Sequence, residues 1–90
     1  MRVPLWVNGE KREADQVEVV TNPYDGSAVA EVCLGGAQDM DDAIEASIRV
    51  FPQAKKQPVH EREGILRRVS QSLLDAREEL ARCMVAETGK

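Results

Sequence analysis

The strongest candidates for a nucleophile or a transition-metal ligand in this chain of 90 residues are Cys33, Cys83 and His60. The two cysteines are far apart without Cys-x-x-Cys spacing, and neither is near His60, so the spacing disfavours a metal site. A reactive thiol needs a neighbouring base and an electropositive pocket. We therefore expect two free, semi-buried thiols and a surface histidine. The alternatives are a disulfide for the cysteines, and for His60 a role as ligand or base.

Charged and glycine-rich stretches offer little more. Glu63–Arg67 and Glu78–Arg82 have the i,i+4 spacing of ion pairs on the polar face of a helix. A paired-carboxylate acid–base site on that face is the alternative. Gly35-Gly36 lacks the third glycine and the Lys-Ser/Thr of a phosphate loop, and Gly89-Lys90 lacks the upstream glycine. The residues alone predict no catalytic constellation.

Composition excludes several classes of protein. The net charge is −4 and there are only three aromatic residues, which disfavours a surface for nucleic acid or an anionic membrane. No apolar run approaches the roughly 20 residues that span a bilayer, and no signal peptide is visible. We expect one cytoplasmic domain at most, burying roughly 60–65% of its unfolded surface.

Residues 1–36 have the pattern of β-structure. Asn8-Gly9 is typical of a two-residue hairpin turn, and it separates Leu5–Val7 from the polar strand 10–13. A second hairpin is predicted from strands 17–20 and 28–32, joined by the turn residues 22–26.

Residues 37–90 have the period of helices. Gly36 is an acceptable N-cap, and Met40, Ile44, Ile48 and Phe51 form one apolar stripe of the first helix. Pro52 should end or kink that helix. A second helix is predicted from about 60 to 88, ended by Gly89. The expected fold class is α+β: two N-terminal β-hairpins, then an antiparallel α-helical hairpin whose stripes face each other.

A series of short motifs in a fixed order extends this interpretation. They are Leu5-Trp6-Val7-Asn8-Gly9-Glu10, Thr21-Asn22-Pro23-Tyr24-Asp25-Gly26, Asp39-Met40-Asp41-Asp42-Ala43-Ile44, Phe51-Pro52, Glu61-Arg62, Ile65-Leu66-Arg67-Arg68 and Glu87-Thr88-Gly89-Lys90. In order and spacing the chain resembles the N-terminal segment of the NAD(P)-dependent aldehyde dehydrogenase superfamily. Within that superfamily, the sequences of these motifs most resemble the lactaldehyde, glyceraldehyde-3-phosphate and phosphonoacetaldehyde dehydrogenase branches.

The resemblance implies that residues 1–90 are part of the α/β aldehyde dehydrogenase fold, an incomplete cofactor-binding domain. The family's nucleophilic cysteine, general-base glutamate, oxyanion-hole asparagine and cofactor glycines lie beyond the last motif. It therefore implies a truncated, structural piece without catalytic or cofactor-binding residues, whose full-length enzyme uses NAD or NADP to oxidise an aldehyde to an acid. The expected partners are the rest of that subunit and further copies of the chain. A free-standing helical-hairpin interaction or oligomerisation module is the alternative function.

The resemblance also implies a monovalent-cation site. Family ligands are main-chain carbonyls just before the Asn-Pro turn and a carboxylate in the last helix of this segment. Matched residue by residue, these positions are Val20, Thr21 and Glu87. A hard cation prefers such oxygen ligands, and an ordinary solvated glutamate at 87 is the alternative.

Overall fold

The computed structural model describes every residue from 1 to 90 and contains five short strands followed by three helices. This order confirms the α+β class. The elements are β1 Arg2–Val3, β2 Leu5–Val7, β3 Glu10–Arg12, β4 Val17–Thr21, β5 Ala28–Cys33, α1 Ala37–Lys55, α2 Val59–Asp75 and α3 Arg77–Thr88.

The hairpin of β2 and β3 is confirmed. Its turn residues Asn8 and Gly9 have φ values of 53° and 74°, the left-handed region that a type I′ turn requires at both positions. Trp6 pairs across the strands with Lys11, whose ammonium lies 5.4 Å from the centre of the indole ring. Trp6 therefore lies on the exposed face of the hairpin, while its neighbour Val7 is buried.

The second hairpin, β4 with β5, is also confirmed, but it belongs to a three-stranded sheet of order β1-β5-β4. Its turn is closed by the Asn22 N–H, which donates to the Ser27 carbonyl at 2.8 Å. The unpredicted strand β1 runs parallel to β5, with Arg2 opposite Glu31. Two residues are too few to show strand alternation, and their partner lies distant in sequence, so periodicity could not reveal this pairing.

Helix α1 begins after Gly36 as predicted, and the Gly36 N–H donates to Asp39 Oδ2 at 2.9 Å. Pro52 does not end the helix, which continues to Lys55. A proline lacks an N–H and its ring crowds the carbonyl four residues earlier, but both effects are confined to the turn that precedes it. Beyond it, the Lys56 N–H still donates to the Gln53 carbonyl at 3.2 Å.

The single long helix predicted from 60 to 88 is wrong, because the chain leaves the helical region at Ala76 (φ −96°, ψ 9°). Beyond Ala76, α3 contacts β4. Gly89, at φ 74°, ends α3 beside the turn of the second hairpin. A Cβ on Gly89 would lie 3.0 Å from the Tyr24 nitrogen. No proline or glycine marks the break in the sequence.

Little of the chain is buried. Its accessible surface is 7606 Å², whereas a compact protein of 10.0 kDa exposes about 5,200 Å². Its radius of gyration is 17.0 Å, against about 12 Å for a compact chain of this length. The principal extents are 49 × 34 × 15 Å, so the molecule is one structural layer thick. It buries about half of its unfolded surface rather than the predicted 60–65%.

The apolar stripes of α1 and α2 do not cover each other, contrary to the predicted packing of the helical hairpin. Ile48 on α1 is 70% exposed and Leu66 on α2 is 68% exposed. The face of α1 nearest to β2 instead carries Asp42 and the buried Ala46. Periodicity indicates which side chains share a face, but it does not indicate what that face meets.

Candidate functional site

The best-connected polar cluster joins the first hairpin to α1. Arg12 at the end of β3 donates from Nη1 to Asp42 Oδ2 at 2.6 Å and to Asp39 Oδ1 at 3.2 Å. Asp42 also accepts from Gln38 Nε2 at 2.8 Å, and Asp39 caps Gly36. All three charged side chains of this Arg12 cluster are about one-third exposed.

Hydrogen bonds and charge pairing shift the pKa values of the three charged groups in this cluster. The Arg12 hydrogen bond, followed by that of Gln38, lowers the pKa of Asp42. The Gly36 N–H, followed by Arg12, lowers the pKa of Asp39, and the hydrogen bonds to Asp42 and Asp39 raise the pKa of Arg12. Each charge therefore has its partner within the chain. The cluster connects the hairpin to the helix, and each of its charges already has an opposite charge beside it.

A second cluster surrounds Cys33, which is buried and free. Its thiol donates to Glu13 Oε2 at 3.6 Å. Arg2 donates from Nε to the same oxygen at 2.8 Å, and from Nη2 to the Ala14 carbonyl at 2.8 Å. Glu31 lies 3.5 Å from Arg2 Nη1. These contacts tie β1 to the segment after β3 and to β5, so they are structural and not those of a nucleophile.

The second thiol, Cys83 on α3, is half-buried and donates to Glu87 Oε1 at 3.4 Å. This hydrogen bond and the charge of Glu87 raise the pKa of Cys83. A raised pKa lowers the thiolate fraction on which nucleophilic attack depends. His60 is exposed near the start of α2, away from either thiol in sequence. The structure assembles no catalytic pair from these residues.

The three expected cation ligands lie on two elements in contact. Val20 and Thr21 end β4, and the pairing of β4 with β5 is irregular between them. Glu87 lies near the end of α3, which contacts β4, but its carboxylate accepts the Cys83 hydrogen bond. No group of three or more His, Cys, Asp or Glu side chains is placed to hold a metal ion.

The largest unsatisfied feature is a surface of exposed apolar side chains on the three helices, which we call the open helix surface. The helical period of the sequence grouped apolar side chains into stripes, but it predicted that these stripes would pack against each other. No residue of α2 or α3 is buried. The open helix surface consists of Met40, Ile44, Ile48, Val50, Phe51, Val59, Ile65, Leu66, Val69, Leu73, Leu74, Leu80, Met84 and Val85.

An apolar surface of this extent indicates that the chain normally packs against further protein, and comparison with known proteins shows which kind. A model of the aldehyde dehydrogenase family matches residues 6–90. The chain belongs to the aldehyde dehydrogenase family. None of its helices is long and apolar enough to cross a membrane.

Curated relatives match nearly the whole chain but only a small part of their own length. Malonate-semialdehyde dehydrogenase of Bacillus pumilus (strain SAFR-032) is 37% identical over 87 residues, which are 94% of this chain and 18% of that protein. Malonate-semialdehyde dehydrogenase 3 of Geobacillus kaustophilus (strain HTA426) is 40% identical over 73 residues, 81% of this chain and 15% of that protein. 5-carboxymethyl-2-hydroxymuconate semialdehyde dehydrogenase of Escherichia coli is 28% identical over 88 residues, which are 98% of this chain and 19% of that protein.

The chain therefore spans less than a fifth of the length of these relatives. It corresponds to an N-terminal segment of the aldehyde dehydrogenase fold. This explains the single layer and the open helix surface, because a segment of a subunit normally buries these faces against the remainder. These relatives are all named as semialdehyde dehydrogenases. The closer resemblance to the lactaldehyde, glyceraldehyde-3-phosphate and phosphonoacetaldehyde dehydrogenase branches therefore stays a prediction.

Proposed function

We propose that residues 1–90 are a structural segment of an aldehyde dehydrogenase subunit, an incomplete part of its cofactor-binding domain. The observation that carries this proposal is the open helix surface on a chain with only four buried residues. At roughly 25 cal/mol per Å², covering such a surface is strongly favourable. The Arg12 cluster holds α1 against the first hairpin, and so presents α1 in a fixed position.

We propose that the whole protein oxidises an aldehyde to a carboxylic acid with NAD or NADP, as the family generally uses these cofactors. The N-terminus of α1 does not fit the cofactor's phosphates. A helix N-terminus binds phosphate through free N–H groups. At α1 the Gly36 N–H is bonded to Asp39, and Asp41 and Asp42 add negative charge nearby. We therefore assign the cofactor and the reacting thiol to other parts of the protein.

The proposed partners are the rest of the subunit and further copies of the chain. Aldehyde dehydrogenases are generally oligomeric, and exposed apolar faces and strand edges favour pairing between copies. The same features would serve a free-standing interaction module, which stays the alternative. Two free thiols fit a reducing compartment, and we propose the cytoplasm as the location.

The proposed cation ligands are the main-chain carbonyls of Val20 and Thr21 and the carboxylate of Glu87. The contact of α3 with β4 supports their proximity, and the hydrogen bond from Cys83 competes for the carboxylate. Bound sodium or potassium would raise the thermal midpoint above that in matched choline, and Glu87→Gln would abolish the difference. Equal midpoints in all three salts would contradict the proposal.

The structural role is tested with a defined partner. The chain is mixed with the Bacillus pumilus relative lacking its matching 87 residues, and NAD(P)H formation from an aldehyde panel is followed. We expect no activity from either piece alone and complex formation by light scattering when both are present. Activity of this chain by itself, above a no-protein control, would contradict the proposal. Failure of the two pieces to associate would favour the free-standing module.

A further inference from the structure

Helix α1 has two faces of opposite character. The inner face, with Asp42 and Ala46, lies against the first hairpin. The outer face is apolar: Met40 is 63%, Ile48 70% and Phe51 60% exposed. An amphipathic helix normally turns its apolar stripe toward a packed neighbour. Here that stripe has no cover within the chain.

Two opposite charges lie in line with this stripe. Asp41 precedes Ile48 by two helical turns and Lys55 follows it by two, and a spacing of seven residues keeps side chains on nearly the same line of an α-helix. Neither charge makes an ion pair within the chain, whereas Arg12, Asp39 and Asp42 on the other face are all paired. The outer face is therefore an apolar strip with a free negative charge at one end and a free positive charge at the other.

We propose that two copies of this chain pair through the outer face of α1, with the helices antiparallel and the two-fold axis at Ile48. This rests on the self-association proposed above and specifies its surface. The symmetry brings Asp41 of each copy opposite Lys55 of the other, so both free charges are paired twice. It also brings Ile44 of each copy beside Phe51 of the other. A parallel pair would instead oppose Asp41 to Asp41, and like charges in contact disfavour a complex.

The chain as a whole has more open surface than such a pair needs. A stable interface buries about 800 Å² on each partner. The chain exposes about 2,400 Å² more than a compact protein of its mass. A two-fold interface uses the same patch on both copies and closes, so it yields a dimer and not an open polymer. The surfaces of α2 and α3 then remain available for the rest of the subunit.

Reciprocal charge reversal tests the geometry. Sedimentation velocity measures the dimer dissociation constant of the full chain, of Asp41→Lys, of Lys55→Asp and of an equimolar mixture of the two variants. Each variant alone has two repulsive contacts, and we expect its dissociation constant to rise about tenfold or more. In the mixed dimer both contacts are attractive again, so the mixture should recover the affinity of the unmodified chain. Glu18→Lys on β4 is the control with the same change in net charge as Asp41→Lys, and it should leave the constant unchanged.

The other outcomes overturn either the α1 pairing alone or self-association as a whole. A dimer that neither reversal weakens, or a mixture that dissociates like the single variants, overturns the α1 pairing but leaves self-association standing. A chain that is monomeric up to high micromolar concentration overturns both and favours cover by the rest of the subunit. Ile48→Asp distinguishes loss of the dimer from misfolding. Because Ile48 is exposed in the single chain, a charge there should not disturb the fold. Its circular dichroism should match the unmodified chain while its dimer is lost.

Discussion

The strands with α1, and the arm made of α2 and α3, differ in where their contacts come from. All four buried residues, Val7, Ala30, Cys33 and Ala46, lie in the strands or in α1, whereas α2 and α3 bury none. Side-chain bonds in the first region span long sequence distances, such as Arg12 to Asp42. Those within the arm join residues one turn apart.

This difference separates structure that the chain supplies for itself from structure that awaits a partner. Local pairs such as Glu63–Arg67 on α2 add only about 0.3–0.5 kcal/mol each in water. Helix propensity and such pairs can maintain a helix of this length only marginally without packing. The strands and α1 therefore hold a small core of their own, and the arm depends on whatever covers it.

The same substitution in the two regions should give the largest contrast. Val7 is 7% exposed and Leu73 is 54% exposed. Val7→Asp places an unpaired charge in the packed region and should cost several kcal/mol of unfolding free energy. Leu73→Asp should change it by no more than about 0.5 kcal/mol, as at other exposed sites. Urea unfolding followed by circular dichroism measures both, and equal losses would contradict the comparison.

Two glycine-to-alanine changes should have opposite signs. Gly9 has φ 74° with open space around a Cβ, so Gly9→Ala strains only the backbone and should cost about 1–2 kcal/mol. Gly64 lies inside α2, where a Cβ would meet Arg68 Nη1 at an ordinary 3.6 Å. Gly64→Ala should therefore stabilise α2 by about 0.5–1 kcal/mol. Helix content and urea midpoints test the pair, and a stabilising Gly9→Ala would refute the turn geometry.

The smallest effect concerns acid stability. The pKa values of Asp39 and Asp42 are lowered in the folded chain, so the folded state favours their ionised forms. That stabilisation is present above the ordinary carboxyl pKa of about 3.9 and is lost as the pH falls through the lowered folded values. Arg12→Met should reduce the loss of stability on acidification, measured by thermal midpoints between neutral and acidic pH. Arg67→Met on α2 is the control, and an equal change there would argue against the cluster.

Sequence reasoning succeeded where the signal is local. Asn8-Gly9 predicted its turn, Gly36 its helix start and Gly89 the left-handed end of α3. It missed β1, a pairing of two residues with a distant strand, and the break at Ala76, which no proline or glycine marks.

For the part of the open helix surface on α1, the helical period predicted the apolar stripe but not what surrounds it. The side chains Ile44, Ile48 and Phe51 were correctly grouped on one face, yet they were expected to meet α2. A residue pattern records that a face is apolar, and no part of this chain covers that face. The Arg12 cluster was also missed, because Arg12 and its two acids are brought together only by the folding of the hairpin onto α1.

The central claim is that the strands and α1 form a self-sufficient unit while α2 and α3 are an arm that needs a partner. Hydrogen exchange resolved by residue in the free chain, at low micromolar concentration, measures this directly. The account predicts slow exchange for amides of β5 and the first turns of α1, and markedly faster exchange throughout α2 and α3. Equal protection across all three helices in a monomeric chain would contradict it.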